Sequence, residues 1–187
     1  MKIGHFLAVA TAALLVSTTA QAADPFALSS SAFKSGTMLV KKNAGNNKQN
    51  PNCVGDNVSP PLSWANPPAG TTSYAMIMID PEGRAGQGVD HWIAYGIPAS
   101  VTSFAEGEVS KPSDKYVGGK NIANVGNYFG PCTPPNTSPH HYLFMLLATD
   151  LDPKALPAGL SRTELLEKLN GHVKGTSSIV GLFKNPL

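Results

Sequence analysis

The residues able to do chemistry are few and sit at the ends of apolar runs. Asp80 closes the run Ser73–Ile79, and Asp90 with His91 opens the next. If those two runs pair as a hairpin, Asp80 approaches His91, and a carboxylate beside an imidazole favours the charged ring and fixes its orientation. Such a pair can donate to an anion. An equally simple reading leaves Asp80 as an Asx residue capping the turn that starts at Pro81. His140 and His141 open a third run, HHYLFMLLA. Side chains alternate along a strand, so His140 and Tyr142 share one face while His141 and Leu143 take the other. Only one of the two adjacent histidines can therefore serve a given pocket, and His140 with Tyr142 makes the better polar pair.

The same alternation weakens a zinc reading. His140 and His141 are poor joint ligands, which leaves Asp80 and His91 in search of a third partner. The segment Gly126–Cys132, GNYFGPC, offers glycines that let backbone approach a ligand, and N–H groups in such turns form anion nests. It lacks the order of a nucleotide P-loop. His172 lies past a helix end and reads as a complement to the helix dipole. No G-x-S-x-G or other activated serine is present. We expect no enzyme, no cofactor and no metal.

These residues need a scaffold of strands. Ser73–Ile79 is nearly continuous in apolar residues, which suggests burial on both faces or in a sandwich core. His91–Ile97, His140–Ala148 and Ser178–Phe183 read as further strands, and Lys41–Asn57 reads as a long polar surface loop. Ser161 followed by Glu164 is a capping box, and Leu165, Leu166 and Leu169 give one short helix ending near Gly171. Composition agrees. Charged residues are 14% of the 187, against about 25% in an average protein, while glycines number 18 and prolines 16. That excludes long helical bundles, and 42% hydrophobic residues exclude disorder. The class is mostly β with peripheral helices. With 14 Lys and Arg against 12 Asp and Glu, the chain has no electrostatic footprint for nucleic acid.

Residues 1–22 read as a secretory signal peptide: Lys2 is the positive start, Phe6–Val16 the apolar stretch, and Ala20-Gln21-Ala22 the cleavage site. The apolar stretch is about 11 residues, short of the roughly 18 needed to span a membrane. Residues 23–187 then form one domain, periplasmic or secreted. Export changes the meaning of Cys53 and Cys132, because two cysteines in an oxidising compartment point to a disulfide rather than to metal ligands.

In sequence order, Asn57-x-Ser59-Pro60-Pro61-Leu62-x-Trp64, Asp80-Pro81-Glu82, His91-Trp92, Gly130-Pro131-Cys132-x-Pro134-Pro135 and His140-His141-Tyr142 form a set. The set resembles the phosphatidylethanolamine-binding protein family, in its bacterial Raf-kinase-inhibitor-like branch of the YbhB/YbcL type. That resemblance implies a two-sheet β fold with short peripheral helices and a small pocket for phosphate-like anions and phospholipid head groups. Carried over by motif, the pocket residues are Asp80, Glu82, His91, Gly130, Pro131, His140 and Tyr142. This chain departs from the family pattern Asp-Pro-Asp-Ala-Pro, reading Asp80-Pro81-Glu82-Gly83-Arg84 instead. The second acid is one methylene longer, and a cation that can face the pocket or the solvent replaces the closing proline.

Three functions compete. The first is an anion or head-group binding protein that uses His91 and His140 as donors, Asp80 to orient them and backbone N–H groups near Gly130 to receive a phosphoryl oxygen. The second is a regulator acting by contact with a protease, a kinase or a host protein, as the family's name suggests. The third, a hydrolase built on Asp80, His91 and Tyr142, has no nucleophile to support it.

Overall fold

A computed structural model describes residues 24–186. The signal segment 1–22 and the expected start at Ala23 lie outside the described residues. No helix among those described is long and apolar enough to cross a membrane.

Nine strands are described, numbered in chain order: β1 (Ala27–Ser29), β2 (Thr37–Met38), β3 (Leu62–Ala65), β4 (Ser73–Asp80), β5 (Val89–Pro98), β6 (Ser103–Phe104), β7 (Val117–Gly118), β8 (His140–Thr149) and β9 (Val173–Phe183). They form two sheets, a three-stranded one in the order β1-β3-β6 and a six-stranded one in the order β2-β9-β8-β4-β5-β7. The long strands β5, β4, β8 and β9 are antiparallel neighbours. The fold is mostly β in two sheets, as the composition implies.

β4 explains why its sequence is almost wholly apolar. Tyr74, Met76 and Met78 pack with Trp92 and Phe144 against Leu28, Leu62, Trp64 and Phe104 of the smaller sheet. Ala75 and Ile77 point the other way, packing with Ile93, Tyr95 and Leu147 beneath Leu165 and Leu169 of the helix Arg162–Leu169. The strand is buried on both faces, so alternation has no polar side to display. The helix begins at Ser161 with the expected box: Ser161 Oγ accepts from the Glu164 N–H while Glu164 Oε2 accepts from the Ser161 N–H. Leu166 is exposed, so the apolar stripe is Leu165 and Leu169 alone.

Two other expectations change. β9 starts at Val173 rather than Ser178, because Gly175, Thr176 and Ser177 pair with β8 despite their low apolar content. Lys41–Asn57 is less superficial than its polarity suggests. A short 3-10 turn, Lys41–Asn43, carries it inward until Asn43 and Ala44 are buried. Asn43 Nδ2 donates to the Val58 carbonyl, which replaces the water its polarity anticipates.

Candidate functional site

The β4–β5 hairpin places Asp80 opposite Val89, at the end of the sheet where β8 begins with His140. Asp80 and His140 meet here, sixty residues apart in sequence. Asp80 Oδ2 accepts from His140 Nδ1 at 2.8 Å, with both side chains largely buried. Its other oxygen, Oδ1, accepts from the backbone N–H groups of Glu82 and Gly83 at 3.0 and 2.9 Å. The capping reading of Asp80 therefore holds on one oxygen, while the imidazole bound by the other is His140 rather than the expected His91.

His91 takes a different partner from the one the hairpin suggests. Its Nδ1–H donates to the Phe129 carbonyl at 2.8 Å. The ring stacks on Phe129 with centroids 6.1 Å apart and meets Tyr142 edge-on at 5.1 Å. Burial pushes the His91 pKa below its usual value, and the Phe129 carbonyl and the Asp80 charge only partly oppose it. With Nδ1 protonated and the ring neutral, Nε2 is an acceptor.

Glu82 Oε1 accepts from His141 Nδ1 at 2.7 Å and its Oε2 from the His141 backbone N–H at 3.1 Å. Partial burial raises the Glu82 carboxyl, but these bonds outweigh it and hold the group below its ordinary range. Strand alternation separates His140 from the exposed His141 as expected, yet Glu82 ties His141 back to the pocket edge.

Between these groups lies a cavity of about 390 Å³. Asp80, Glu82, His91 and His140 line it together with Arg84 and Phe129. Gly130, Pro131 and Tyr142 are not part of that lining. Tyr142 is buried, with its hydroxyl 2.7 Å from Thr133 Oγ1. Burial pushes its phenol well above the ordinary range, so Tyr142 remains a neutral hydroxyl that fixes the edge of His91.

The nest expected at Gly130 is already filled. The Gly130 N–H donates to Asn57 Oδ1 at 2.8 Å, and Asn57 Nδ2 donates to the Tyr128 carbonyl at 3.1 Å. Gly130 is needed for packing: a Cβ there would lie 2.1 Å from the Asn43 carbonyl oxygen. Beside it Cys132 is joined to Cys53, with the two Cα atoms 4.3 Å apart. This disulfide ties the 41–57 segment to the cavity wall, which Cys132 lines.

Several wall residues, Phe129 and Ile122 among them, escaped the sequence reading, and Arg84, left open between pocket and solvent, reaches the cavity. Arg84 and Ala85 both have left-handed backbones, at φ 53° and 56°. They belong to the turn Gly83–Gly86, which brings Arg84 to the cavity edge. Phe129 supplies both the acceptor and the stacking surface for His91. Neither role leaves a local mark in sequence. His172 pairs with Asp150 at 2.8 Å, away from the cavity, rather than acting on the helix end.

One group of possible metal ligands stands out among the described residues: Asp80, Glu82 and His140, whose ligand atoms all lie within 4.8 Å of one another. Asp80 is thus grouped with Glu82 and His140, and His91, its expected companion, is not a member. In the described arrangement the donors of His140, His141 and the backbone already occupy these carboxylates.

A two-sheet β fold with a compact histidine and carboxylate cavity at one sheet end is the arrangement to compare with known binding proteins. The family model for phosphatidylethanolamine-binding protein matches residues 29–184. The chain belongs to the phosphatidylethanolamine-binding protein family, and its similarity is to the bacterial YbcL type. A UPF0098 protein of Aquifex aeolicus is 34% identical over 134 residues, covering 71% of this chain and 77% of that one. The protein named lipoprotein LppC in Mycobacterium tuberculosis is 32% identical over 170 residues, covering 89% and 76%. The crystal structure of Escherichia coli YbcL, described as a new member of the mammalian PEBP family, aligns with a TM-score of 0.76 at 28% identity. That alignment covers 85% of this chain and 98% of YbcL.

Proposed function

We propose that this chain is an exported binding protein whose cavity receives a phosphate-like anion or the phosphorylated head group of a lipid. The observation that carries the reading is the pairing of Asp80 with His140 at the cavity wall. Because His140 Nδ1–H is committed to Asp80, Nε2 carries a proton only when the ring is charged. A phosphoryl oxygen received there meets an imidazolium whose counter-charge is held on the far side of the ring. Neutral His91 complements it, since its Nε2 accepts from the P–OH of a singly protonated phosphoryl group. Arg84 adds a cation at the edge. The carboxylates do not repel such a ligand strongly, because Asp80 and Glu82 each spend their oxygens on donors of the protein.

This is binding chemistry rather than catalysis. No serine, threonine or free thiol lines the cavity, as Cys132 is tied in the disulfide and the Tyr142 hydroxyl is buried and held in its phenol form. Export is supported by the signal-like leader, by the disulfide and by the similarity to a protein named as a lipoprotein. Titration calorimetry with inorganic phosphate and phosphorylethanolamine tests the reading. Binding is expected in the native protein and its loss in His140→Ala. Absence of binding to the native protein at pH 5.5 and 7.5 would overturn the reading.

A further inference from the structure

A second hollow, of about 270 Å³, adjoins the first. The two share Arg84, Val89 and Ile122 in their linings, so they meet along that edge. Their charges differ in kind. Where the first presents Asp80 and Glu82, the second presents two cations, Arg84 and Lys120, with Asp90 as its one acid. Asp90 has a counter-charge of its own, as its Oδ1 lies 2.7 Å from Arg162 Nε. Neither Arg84 nor Lys120 forms a salt bridge among the described residues. Glu164 feels the Lys120 charge, but its Oε2 is spent on the Ser161 N–H and hydroxyl.

The backbone around this hollow is held by hydrogen bonds, while the Arg84 and Lys120 side chains are exposed. The Ile122 N–H donates to the Asp90 carbonyl at 2.8 Å and the Lys120 N–H to the Leu160 carbonyl at 2.9 Å. Buried Asn121 is the joint with the first cavity: its Nδ2 donates to the His91 carbonyl at 3.0 Å and to the Asn127 carbonyl at 2.8 Å. Its Oδ1 accepts from the N–H groups of Ala123 and Val125. Two successive left-handed residues, Arg84 and Ala85, are costly for side chains that carry a Cβ, and such outliers concentrate where a ligand must be met. Here they put the Arg84 side chain at the shared edge.

We propose that this hollow is a second anion subsite, and that the chain selects ligands bearing two anionic groups. A phosphoryl group fills the first cavity, and Arg84 with Lys120 receives a carboxylate or a second phosphoryl group. The inference rests on the reading of the first cavity as a phosphoryl site. Phosphorylated hydroxy acids and the serine-bearing phospholipid head group share the required chemistry.

The test is calorimetry with 3-phosphoglycerate and glycerol 3-phosphate, whose difference is one carboxylate. The native protein is expected to bind 3-phosphoglycerate about tenfold more tightly, the effect of one charge-assisted contact. Lys120→Gln, which touches only the second hollow, is expected to abolish that preference and leave glycerol 3-phosphate binding unchanged. Arg84→Gln should weaken both ligands. Sedimentation with phosphatidylcholine vesicles carrying phosphatidylserine or phosphatidylethanolamine separates the sources. A phosphatidylserine preference lost in Lys120→Gln assigns a lipid ligand, and a preference seen only with the soluble pair assigns a free one. Equal binding of both soluble ligands without a phosphatidylserine preference overturns the second subsite and leaves the first intact. A preference that persists in Lys120→Gln does the same. Absence of binding by either ligand and either vesicle overturns both.

Discussion

Asp80 holds His140 through one carboxylate oxygen while its other oxygen caps the turn that follows β4. One side chain thus sets both the orientation of a ring in the cavity wall and the path of the loop that carries Glu82 and Arg84. Asp80→Ala is expected to strand two backbone N–H groups and the His140 Nδ1–H together. Unsatisfied donors in so buried a place cost about 3 kcal/mol in sum. Urea unfolding at pH 7 should show a loss of that order, whereas a loss under about 1 kcal/mol would mean that water replaces the carboxylate readily.

The Asn57 side chain bridges two backbone groups, the Tyr128 carbonyl and the Gly130 N–H, from a left-handed position of its own. Replacing it with Ala removes both bonds and leaves a Cβ residue at φ 59° with no compensating contact. We expect a loss of about 2 kcal/mol in denaturant unfolding. Asn57→Gly should recover the backbone part of that loss but not the hydrogen bonds.

The disulfide between Cys53 and Cys132 closes a long loop, with a sequence separation of 79. By the chain-entropy argument it stabilises the fold by about 4 kcal/mol. Unfolding of Cys53→Ser/Cys132→Ser is expected to show a deficit approaching that value, with much of it reproduced in the native protein by a reductant. A deficit near zero would show that the 41–57 segment is held by its other contacts, among them the Gly45 N–H to the Pro131 carbonyl at 2.8 Å.

His91 gives stability a pH dependence of definite sign. Burial lowers its pKa in the folded chain, so below about pH 6.5 the unfolded chain takes up the proton first. Its contribution is complete above that pH and is lost as pH falls toward the lower folded value. The native protein should lose stability between about pH 6.5 and 5, before the carboxylates titrate. His91→Asn should flatten that window, as measured by urea midpoints at successive pH values. An unchanged slope in His91→Asn would assign the loss to other groups.

Much of the frame was legible because burial leaves periodic marks. The four long strands and the capped helix follow from apolar runs and one capping box, and the shared face of His140 and Tyr142 follows from alternation alone. The partners of Asp80 and His91 were not legible. A hairpin argument brings Asp80 toward β5, but the antiparallel neighbour on the other side of β4 is β8, and that pairing delivers His140 instead. Phe129 and Asn57 act through a carbonyl and a side-chain amide reaching across 38 and 73 residues. Such contacts depend on the whole fold and have no local sequence signal. The short strands β2, β6 and β7, each two residues long, carry too little pattern to be read.

Sulfate binding tests the account of the cavity most directly, because sulfate stays doubly charged and carries no proton to donate. A ligand with no P–OH cannot use neutral His91 as an acceptor, so it must be met by the donors of His140 and Arg84. Calorimetry should show sulfate binding by the native protein and a loss of about tenfold or more in His140→Ala. A sulfate affinity that His140→Ala leaves unchanged, or no binding by the native protein, would contradict it.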